Sequence, residues 1–197
     1  AEENERKRIA ADLHDNLGAY AAAIASNVSH IQQAGNNEAA LNELNINAQS
    51  IVSQLNDTIW VLKKDNLSLT AISDRIKTFI QRIRFSYPDI NIDVTEHINT
   101  DMLLPPGQAF NLYQIIKEAI SNAVKHSLSK NVRVYFESEK EWKVFISDDG
   151  TGISEPDKLQ ANGNGLSNMR KRTKESGWQI DWLENKPQGT QVLITPG

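Results

Sequence analysis

The sequence predicts an α-helical hairpin followed by a two-layer α/β sandwich. Up to about residue 64, two long stretches carry apolar side chains at every third or fourth position, which is typical of amphipathic helices. Beyond residue 66, helical stretches and segments of alternating apolar and polar residues follow one another. Helices combined with largely antiparallel strands favour a two-layer sandwich. We therefore divide the 197-residue chain into a helical domain at 1–66 and an α/β domain at 67–197.

The first helix is predicted between about residues 3 and 33. Residues 34–37 end it, because glycine and asparagine suit the left-handed conformation found at helix ends. His14 lies just off the edge of the apolar stripe of this helix and should be partly exposed. Its helical neighbours one turn away, Ala10, Ala11 and Gly18, are too small to cover an imidazole ring.

The second helix is predicted from about residue 38 to residue 64. Two such helices joined by a tight turn form an antiparallel hairpin, which leaves part of its apolar surface exposed. A homodimer that closes a four-helix bundle would cover that surface, and packing against the downstream domain is the alternative. The apolar positions of the second helix are Leu41, Leu44, Ala48, Ile51, Leu55, Ile59 and Leu62.

The α/β domain is expected to begin with a linker and helix cap at 65–68. The helix that follows ends at Tyr87-Pro88, since a residue before proline disfavours the helical conformation. Residues 104–107 are expected to form a turn. The remaining predicted elements are helices over about 108–126 and 166–175 and strands at 91–96, 132–137, 142–147, 179–183 and 191–195, with 132–137 and 142–147 forming a hairpin.

Composition excludes several classes of protein. The net charge of −4 gives no electrostatic reason to expect nucleic-acid binding, and the absence of cysteine excludes disulfide scaffolds and cysteine metal sites. No apolar run of about 18 residues could span a membrane. Because the chain starts inside a helical pattern, we expect it to be a fragment of a longer protein.

The helix predicted over about 108–126, before the β-hairpin, has an apolar face and a polar face that includes Asn111. Asn122, with Glu118 one turn earlier, offers the oxygen ligands that Mg²⁺ shares with substrate phosphates, and Lys125 is long enough to reach a phosphate. His126 lies nearer the apolar face and is expected to be structural. A polar helix face is usually only solvated, so this pattern alone does not define a site.

Two glycine-rich segments follow. Asp148 leaves a strand and is followed by Gly150 and Gly152, which make a turn where the backbone can approach a ligand. Gly163 and Gly165 lead directly into a helix, whose free N–H groups form a ready anion site. The chain lacks the glycine and lysine pattern of a P-loop.

These three motifs, in this order, resemble the Bergerat-type nucleotide-binding fold shared by sensor histidine kinases, type II topoisomerases, mismatch-repair ATPases and Hsp90-type chaperones. Residues 118–126 resemble the N box of that family, 148–153 its first glycine box and 163–166 its second. Gly189-Thr190 resembles the closing Gly-Thr element.

The resemblance implies that ATP and Mg²⁺ bind to the α/β domain. It implies that Asn122 ligates Mg²⁺, with Glu118 as a second candidate ligand and a candidate catalytic residue. Asp148 would accept a hydrogen bond from the adenine amino group, and residues 153–163 would form an ATP lid. The nucleotide-binding residues that it implies are Asn122, Lys125, Asp148, Gly150, Gly152, Gly163, Gly165, Leu166 and Thr190.

The stretch around His14 selects among these relatives. Arg8-Ile9-Ala10, Leu13-His14-Asp15 and Leu17-Gly18 are similar to the phosphoacceptor helix of histidine kinases, in the subfamily typified by bacterial nitrate sensors. The resemblance implies ATP-dependent autophosphorylation of His14 and transfer to an aspartate of a response-regulator receiver domain. It also implies a homodimer and the cytoplasmic domain of a membrane-anchored bacterial sensor.

The pair formed by His14 and Asp15 suits this chemistry. An imidazole is a usable nucleophile at neutral pH because its ordinary pKa is about 6.5. Asp15 can orient the ring and act as a general base by accepting its other proton. Kinases of this subfamily often place a glutamine five residues after the phosphoacceptor to position water, but this chain has Ala19 there. We therefore expect weak phosphatase activity toward a phosphorylated regulator.

Two other functions compete with a kinase. One is an ATPase of the same fold that uses hydrolysis for conformational work, and the residues around His14 argue against it. The other is a degenerate kinase that acts as a scaffold, and the intact Asn122, Asp148 and glycine boxes argue against that.

Overall fold

The structure is a computed structural model that describes residues 7, 11, 17–29, 31, 38–63, 66–153 and 164–197. The chain divides into two compact units, Ala1–Asp65 and Asn66–Gly197. None of the helices in the described ranges is long and apolar enough to cross a membrane.

The first unit is helical in all of its described elements. Helix α1 covers residues 17–29, and helix α2 spans Glu38–Leu62. The predicted helical N-terminal region is therefore confirmed. The predicted turn at 34–37 and the pair His14 and Asp15 lie outside the described residues.

The second unit is an α/β sandwich, as the sequence predicted. A five-stranded sheet carries the helices on one face, and the buried apolar residues of strands and helices meet between the two layers. Its elements are β1 (Leu67–Ser68), α3 (Leu69–Ser86), β2 (Asn91–Ile98), β3 (Leu103–Leu104), α4 (Pro106–His126), β4 (Asn131–Ser138), β5 (Trp142–Asp148), α5 (Asn164–Glu175), β6 (Trp178–Glu184) and β7 (Thr190–Pro196).

The strand order of the sheet is β2-β4-β5-β7-β6. Strands β4 and β5 form the predicted antiparallel hairpin, in which Val132 pairs with Asp148 and Ser138 with Trp142. Strand β2 is parallel to β4, and all the other pairs are antiparallel. The connection between the two parallel strands contains α4, which packs on the sheet through its apolar face.

Two loop predictions near the start of this unit are wrong. Leu67 is no linker residue, because β1 pairs with β3 and buries both Leu67 and Leu104. Two-residue strands carry too short a pattern to be recognised locally. Residues 104–107 do not form a separate turn, since α4 begins at Pro106, where the missing N–H of proline costs no hydrogen bond. The predicted cap is confirmed: the Ser68 hydroxyl accepts a hydrogen bond from the N–H of Ala71 at 3.2 Å.

Candidate functional site

A cavity of about 640 Å³ opens in the second unit between α4, α5 and the ends of the sheet strands. Helix α4 contributes Glu118 and Asn122 to its wall, one turn apart on the same helical face. The neighbouring face of α4 is the predicted apolar face: Leu112, Ile116, Ala119, Ile120 and Ala123 are buried, and its two alanines also reach the cavity wall. Burial of that face therefore directs the polar pair into the cavity.

The cavity also receives Asp148, the last residue of β5. This carboxylate is only 7% exposed and accepts a hydrogen bond from the N–H of Gly150 at 2.9 Å. Burial raises the pKa of Asp148 above its ordinary 3.8, and hydrogen bonds from the Gly150 and Thr190 N–H groups and the Ser127 hydroxyl partly offset that increase. An acceptor fixed in this way can bind one donor of a ligand at the cavity floor.

Gly189 holds the backbone of this floor together. It has a φ of +112°, and a Cβ atom at this position would lie 1.9 Å from the carbonyl oxygen of Asp148. Only glycine combines that backbone conformation with so close an approach. The neighbouring Thr190 consequently lies beside Asp148 and lines the cavity.

The second glycine segment approaches α4 from the other side. Gly165 and Leu166, in the first turn of α5, line the cavity. A Cβ atom on Gly165 would lie 2.2 Å from Glu118 Oε1 and 3.5 Å from Asn122 Nδ2. Residues far apart in the chain, 118, 122 and 165, are thereby brought together at one wall of the cavity.

The loop between β6 and β7 supports the first glycine segment from outside the cavity. The Asn185 side-chain amide donates to the backbone carbonyl of Asp148 at 2.7 Å, and that of Gln188 donates to the carbonyl of Asp149 at 3.1 Å. The Asp149 carboxylate accepts hydrogen bonds from the N–H groups of Lys130 and Asn131 and from the Asn131 amide. The Asn131 side chain, followed by the Asn131 N–H, lowers the pKa of Asp149.

Most of the residues predicted for the nucleotide site surround this cavity. Gly150 lies just behind the wall, buried against Ser127. Lys125 is exposed and is not among the described residues that line the cavity, while Gly163 and the predicted lid lie outside the described residues. The predicted residues in the wall are Glu118, Asn122, Asp148, Gly152, Gly165, Leu166 and Thr190.

Two expectations about α4 are wrong. His126 is not a structural residue of the apolar face: it is the last residue of α4, is exposed and lines the cavity, whereas Ala123 and Val124 just before it are buried. Asn111, expected on a polar face, is 1% exposed. Its amide donates to Ser176 Oγ at 2.9 Å, and its carbonyl accepts from Arg172 Nη1 at 3.1 Å. Helical periodicity cannot distinguish a solvated polar residue from one with a buried partner.

The sequence analysis also missed part of the cavity wall. Met169 and Trp182 line it, together with Ser127 and Val192. No motif marks these positions, and only the pairing of β6 with β7 reveals that Trp182 lies beside Val192.

The oxygen ligands in the cavity fit a magnesium ion that arrives with a nucleotide. Among the residues that the structure describes, no group of three or more His, Cys, Asp or Glu side chains could hold a metal ion. The Asn122 carbonyl and the Glu118 carboxylate remain as hard oxygen donors in the wall. Mg²⁺ is commonly held by one or two such protein groups together with substrate phosphates.

Comparison with known families gives two matches in the same order as the two units. Residues 5–67 match the family model described as "Histidine kinase". Residues 107–197 match the model described as "Histidine kinase-, DNA gyrase B-, and HSP90-like ATPase". The chain belongs to the histidine kinase family.

This kinase core is similar to complete sensor proteins of bacteria. It is 28% identical to the sensor protein VraS of Staphylococcus haemolyticus, with 98% of this chain and 55% of VraS covered. It is 27% identical to the nitrate/nitrite sensor protein NarX of Escherichia coli, with 97% of this chain and 32% of NarX covered. The chain thus spans about half the length of VraS and a third of NarX.

Solved histidine kinases share the fold of the kinase core. The histidine kinase domain of the blue-light-activated kinase from Erythrobacter litoralis EL346 aligns with a TM-score of 0.61 at 19% identity, covering 92% of this chain and 94% of that domain. The Acinetobacter baumannii histidine kinase AdeS aligns with a TM-score of 0.63 at 15% identity, covering 92% of this chain and 96% of that one. These likenesses confirm the predicted fold class.

Proposed function

We propose that this chain is the catalytic core of a two-component sensor kinase. It binds ATP in the cavity of the second unit, transfers the γ-phosphoryl group to His14 and passes it to an aspartate of a response-regulator receiver domain. The observation that carries the proposal is the cavity in which Asn122, Asp148 and Gly165 meet, in a chain whose residues 5–67 match a histidine kinase model.

Each wall of the cavity has a role in holding the nucleotide. The buried Asp148 carboxylate accepts a hydrogen bond from the adenine amino group, and Thr190 lies beside it. The N-terminus of α5, which has Gly165 in its first turn, would face the phosphates with its free backbone N–H groups. Asn122 and Glu118 would hold Mg²⁺, which supplies charge neutralisation on the phosphate oxygens.

The transfer itself needs little covalent help from the protein. An imidazole nitrogen of His14 attacks the γ-phosphorus in line, the new P–N bond forms as the bond to the β-phosphate oxygen breaks, and ADP leaves. The Asp15 carboxylate would accept a hydrogen bond from the N–H of the other ring nitrogen, which fixes the tautomer and stabilises the positive charge that develops on the ring. Transfer to a regulator aspartate then releases His14 for another cycle.

We also propose that the first unit forms a homodimeric four-helix bundle. Leu41, Val52, Leu55 and Ile59 lie within one side of α2, yet they are 44%, 59%, 37% and 44% exposed in the single chain. A contiguous apolar strip of this kind is stable in water when a second copy covers it. Sedimentation of the chain would show a dimer, and Val52→Glu with Leu55→Glu should yield a monomer.

The proposed location is the cytoplasmic portion of a membrane-anchored sensor. Support comes from the two relatives named as sensor proteins, of which the chain covers 55% and 32%. Expression of the whole gene with a reporter at each terminus would test this location.

Labelling with γ-labelled ATP tests the phosphoacceptor. We expect wild-type protein to become labelled in an acid-labile, alkali-stable form and His14→Gln to remain unlabelled. His97→Gln is the matched control, since His97 is an exposed residue on β2 outside the cavity, and it should label normally. Continued labelling of His14→Gln would remove His14 from the mechanism.

The same assay separates the two competing functions. An ATPase that works by conformational change would release inorganic phosphate without retaining label. A degenerate scaffold would neither label nor gain thermal stability with Mg-ATP, whereas a kinase core should show both effects.

The alanine at position 19 is the basis for proposing that phosphatase activity is weak. Its side chain is exposed on α1, and a methyl group has no polar atom with which to orient a water molecule. We expect the decay of a phosphorylated regulator to be almost unchanged when this protein is added, and Ala19→Gln to accelerate it. Rapid decay with the wild-type protein would contradict the proposal.

A further inference from the structure

Trp182 lies in the wall of the cavity that the sheet provides. It is on β6, one of the two edge strands of the sheet, and pairs in register with Val192 on β7, which pairs in turn with Ile146 on β5. Trp182 and Val192 both line the cavity. Asp148 on β5 and Thr190 on β7 each lie two residues from these paired positions, toward the same end of the sheet. The indole ring is therefore close to the Asp148 carboxylate, which would recognise adenine.

The orientation of the ring is fixed from the helical layer. The Arg170 guanidinium on α5 lies over the indole of Trp182, 5.0 Å from the ring centroid. A cation at this distance is attracted by the negative face of the ring. The indole ring of Trp182 therefore has a fixed orientation and closes the edge of the cavity between β6 and α5.

The N–H group of this ring lacks a partner. Trp182 Nε1 is buried and has no hydrogen-bond acceptor among the residues that the structure describes. Tryptophan N–H groups usually find an acceptor when buried, and an exception needs an explanation. Because protein atoms cover this nitrogen, an acceptor on a ligand in the cavity would reach it only when neighbouring side chains move as the ligand binds.

We propose that Trp182 is a nucleotide-contacting residue, with its indole packed against the adenosine part of the bound nucleotide and its N–H donating to it. This inference rests on the proposed function, since it requires ATP in the cavity. Because the contact involves adenosine and not the γ-phosphate, it should strengthen the binding of ATP and ADP by the same factor.

Matched tryptophan variants test the proposal. Trp182→Phe keeps an aromatic ring and removes the N–H, and calorimetric titration should show Kd values for ATP and ADP that are both about three- to tenfold higher. Trp182→Leu also removes the ring and should weaken binding further. Trp178→Phe is the control: Trp178 is on the same strand, packs against Trp142 at 4.9 Å and does not line the cavity, so it should bind like wild type.

Kinetics separates a contact from a general structural role. In autophosphorylation, Trp182→Phe should raise the KM for ATP and leave the rate at saturating ATP unchanged. Nucleotide should alter tryptophan fluorescence in wild type and Trp178→Phe, but not in Trp182→Phe. Unchanged Kd values in both Trp182 variants, or a loss confined to ATP, would overturn the inference. If wild type does not bind ATP, or Asn122→Ala with Asp148→Ala binds it as wild type does, the proposed function fails instead.

Discussion

Gly165 on α5 lies directly against the Glu118 carboxylate on α4: a Cβ atom at position 165 would come to 2.2 Å from Glu118 Oε1. This approach joins the two helices at the wall of the cavity. Oε1 is the end of a flexible side chain, so the clash in Gly165→Ala can be relieved by a rotation of Glu118.

We expect Gly165→Ala to fold nearly as stably as wild type and to bind Mg-ATP at least about tenfold more weakly, because the displaced Glu118 disturbs the wall that holds Mg²⁺ and phosphate. Urea unfolding and calorimetric titration would measure the two effects. Gly177→Ala is the control, since its φ of +72° is strained for alanine but nothing lies within 4 Å of a Cβ there. It should lose about 1 kcal/mol of stability with an unchanged Kd.

Gly189→Ala should be far more damaging than Gly177→Ala. Both positions have a positive φ, but at Gly189 the added Cβ would lie 1.9 Å from the backbone carbonyl oxygen of Asp148, which cannot rotate away. We expect a loss of about 3 kcal/mol or more in the free energy of unfolding, together with loss of nucleotide binding. Equal effects of the two substitutions in urea unfolding would contradict this interpretation.

Nucleotide affinity and stability should respond to pH in opposite directions through Asp148. Burial raises the pKa of this carboxyl above 3.8, so the folded chain binds the proton more tightly than the unfolded chain does. Its contribution to the free energy of unfolding therefore increases as pH falls through the raised pKa. Affinity for ATP should decrease over the same range, because a protonated Asp148 accepts the adenine hydrogen bond less well.

The difference between wild type and Asp148→Asn isolates this titration from that of other carboxylates. We expect the pH dependence of the ATP Kd, measured by titration from pH 7 downward, to be smaller in Asp148→Asn. Asp149 titrates in the opposite sense, since Asn131 lowers its pKa, and its stabilising contribution is lost only below pH 3.8. A Kd that falls as pH is lowered would refute the assignment of Asp148.

Leu128 offers a substitution that should stabilise the protein. It follows the last turn of α4, has a φ of +56° and is 86% exposed. A left-handed backbone conformation at the end of a helix is favourable for glycine and strained for leucine. Because the Leu128 side chain is exposed, its packing does not offset this strain. Leu128→Gly should raise the free energy of unfolding by about 0.5–1 kcal/mol in urea. Leu183→Gly, at another exposed leucine but in the extended strand β6, should lower it.

The sequence predicted the elements whose information is local. The apolar face of α4, the glycine turn after Asp148 and the alternation in β4 and β5 each occupy one continuous segment, and all were found. The pairing of β1 with β3, in which Leu67 lies opposite Leu104, was missed because each of these strands has only two residues. Such a pair has no periodicity of its own.

The candidate site was predicted where motifs mark it and missed where only packing does. Asn122 and Asp148 belong to recognisable motifs, whereas Trp182 reaches the cavity because β6 pairs with β7 at Val192. His126 was assigned to the apolar face because a helical wheel treats the last turn like the others. Asn111 was assigned to a solvated face because its partners, Arg172 and Ser176, lie on and just after α5, far along the chain.

The parallel pairing of β2 with β4 has a consequence for folding kinetics. Two parallel strands can pair only after the connection between them has crossed back along the sheet. Here that connection contains α4, which carries Glu118 and Asn122. Contacts so distant in sequence form slowly and late. The ligand-binding groups on α4 are therefore placed when the slow parallel pair forms. The cavity also needs Asp148, Gly165 and Thr190, so a chain still emerging from the ribosome cannot capture ATP until β7 has been made.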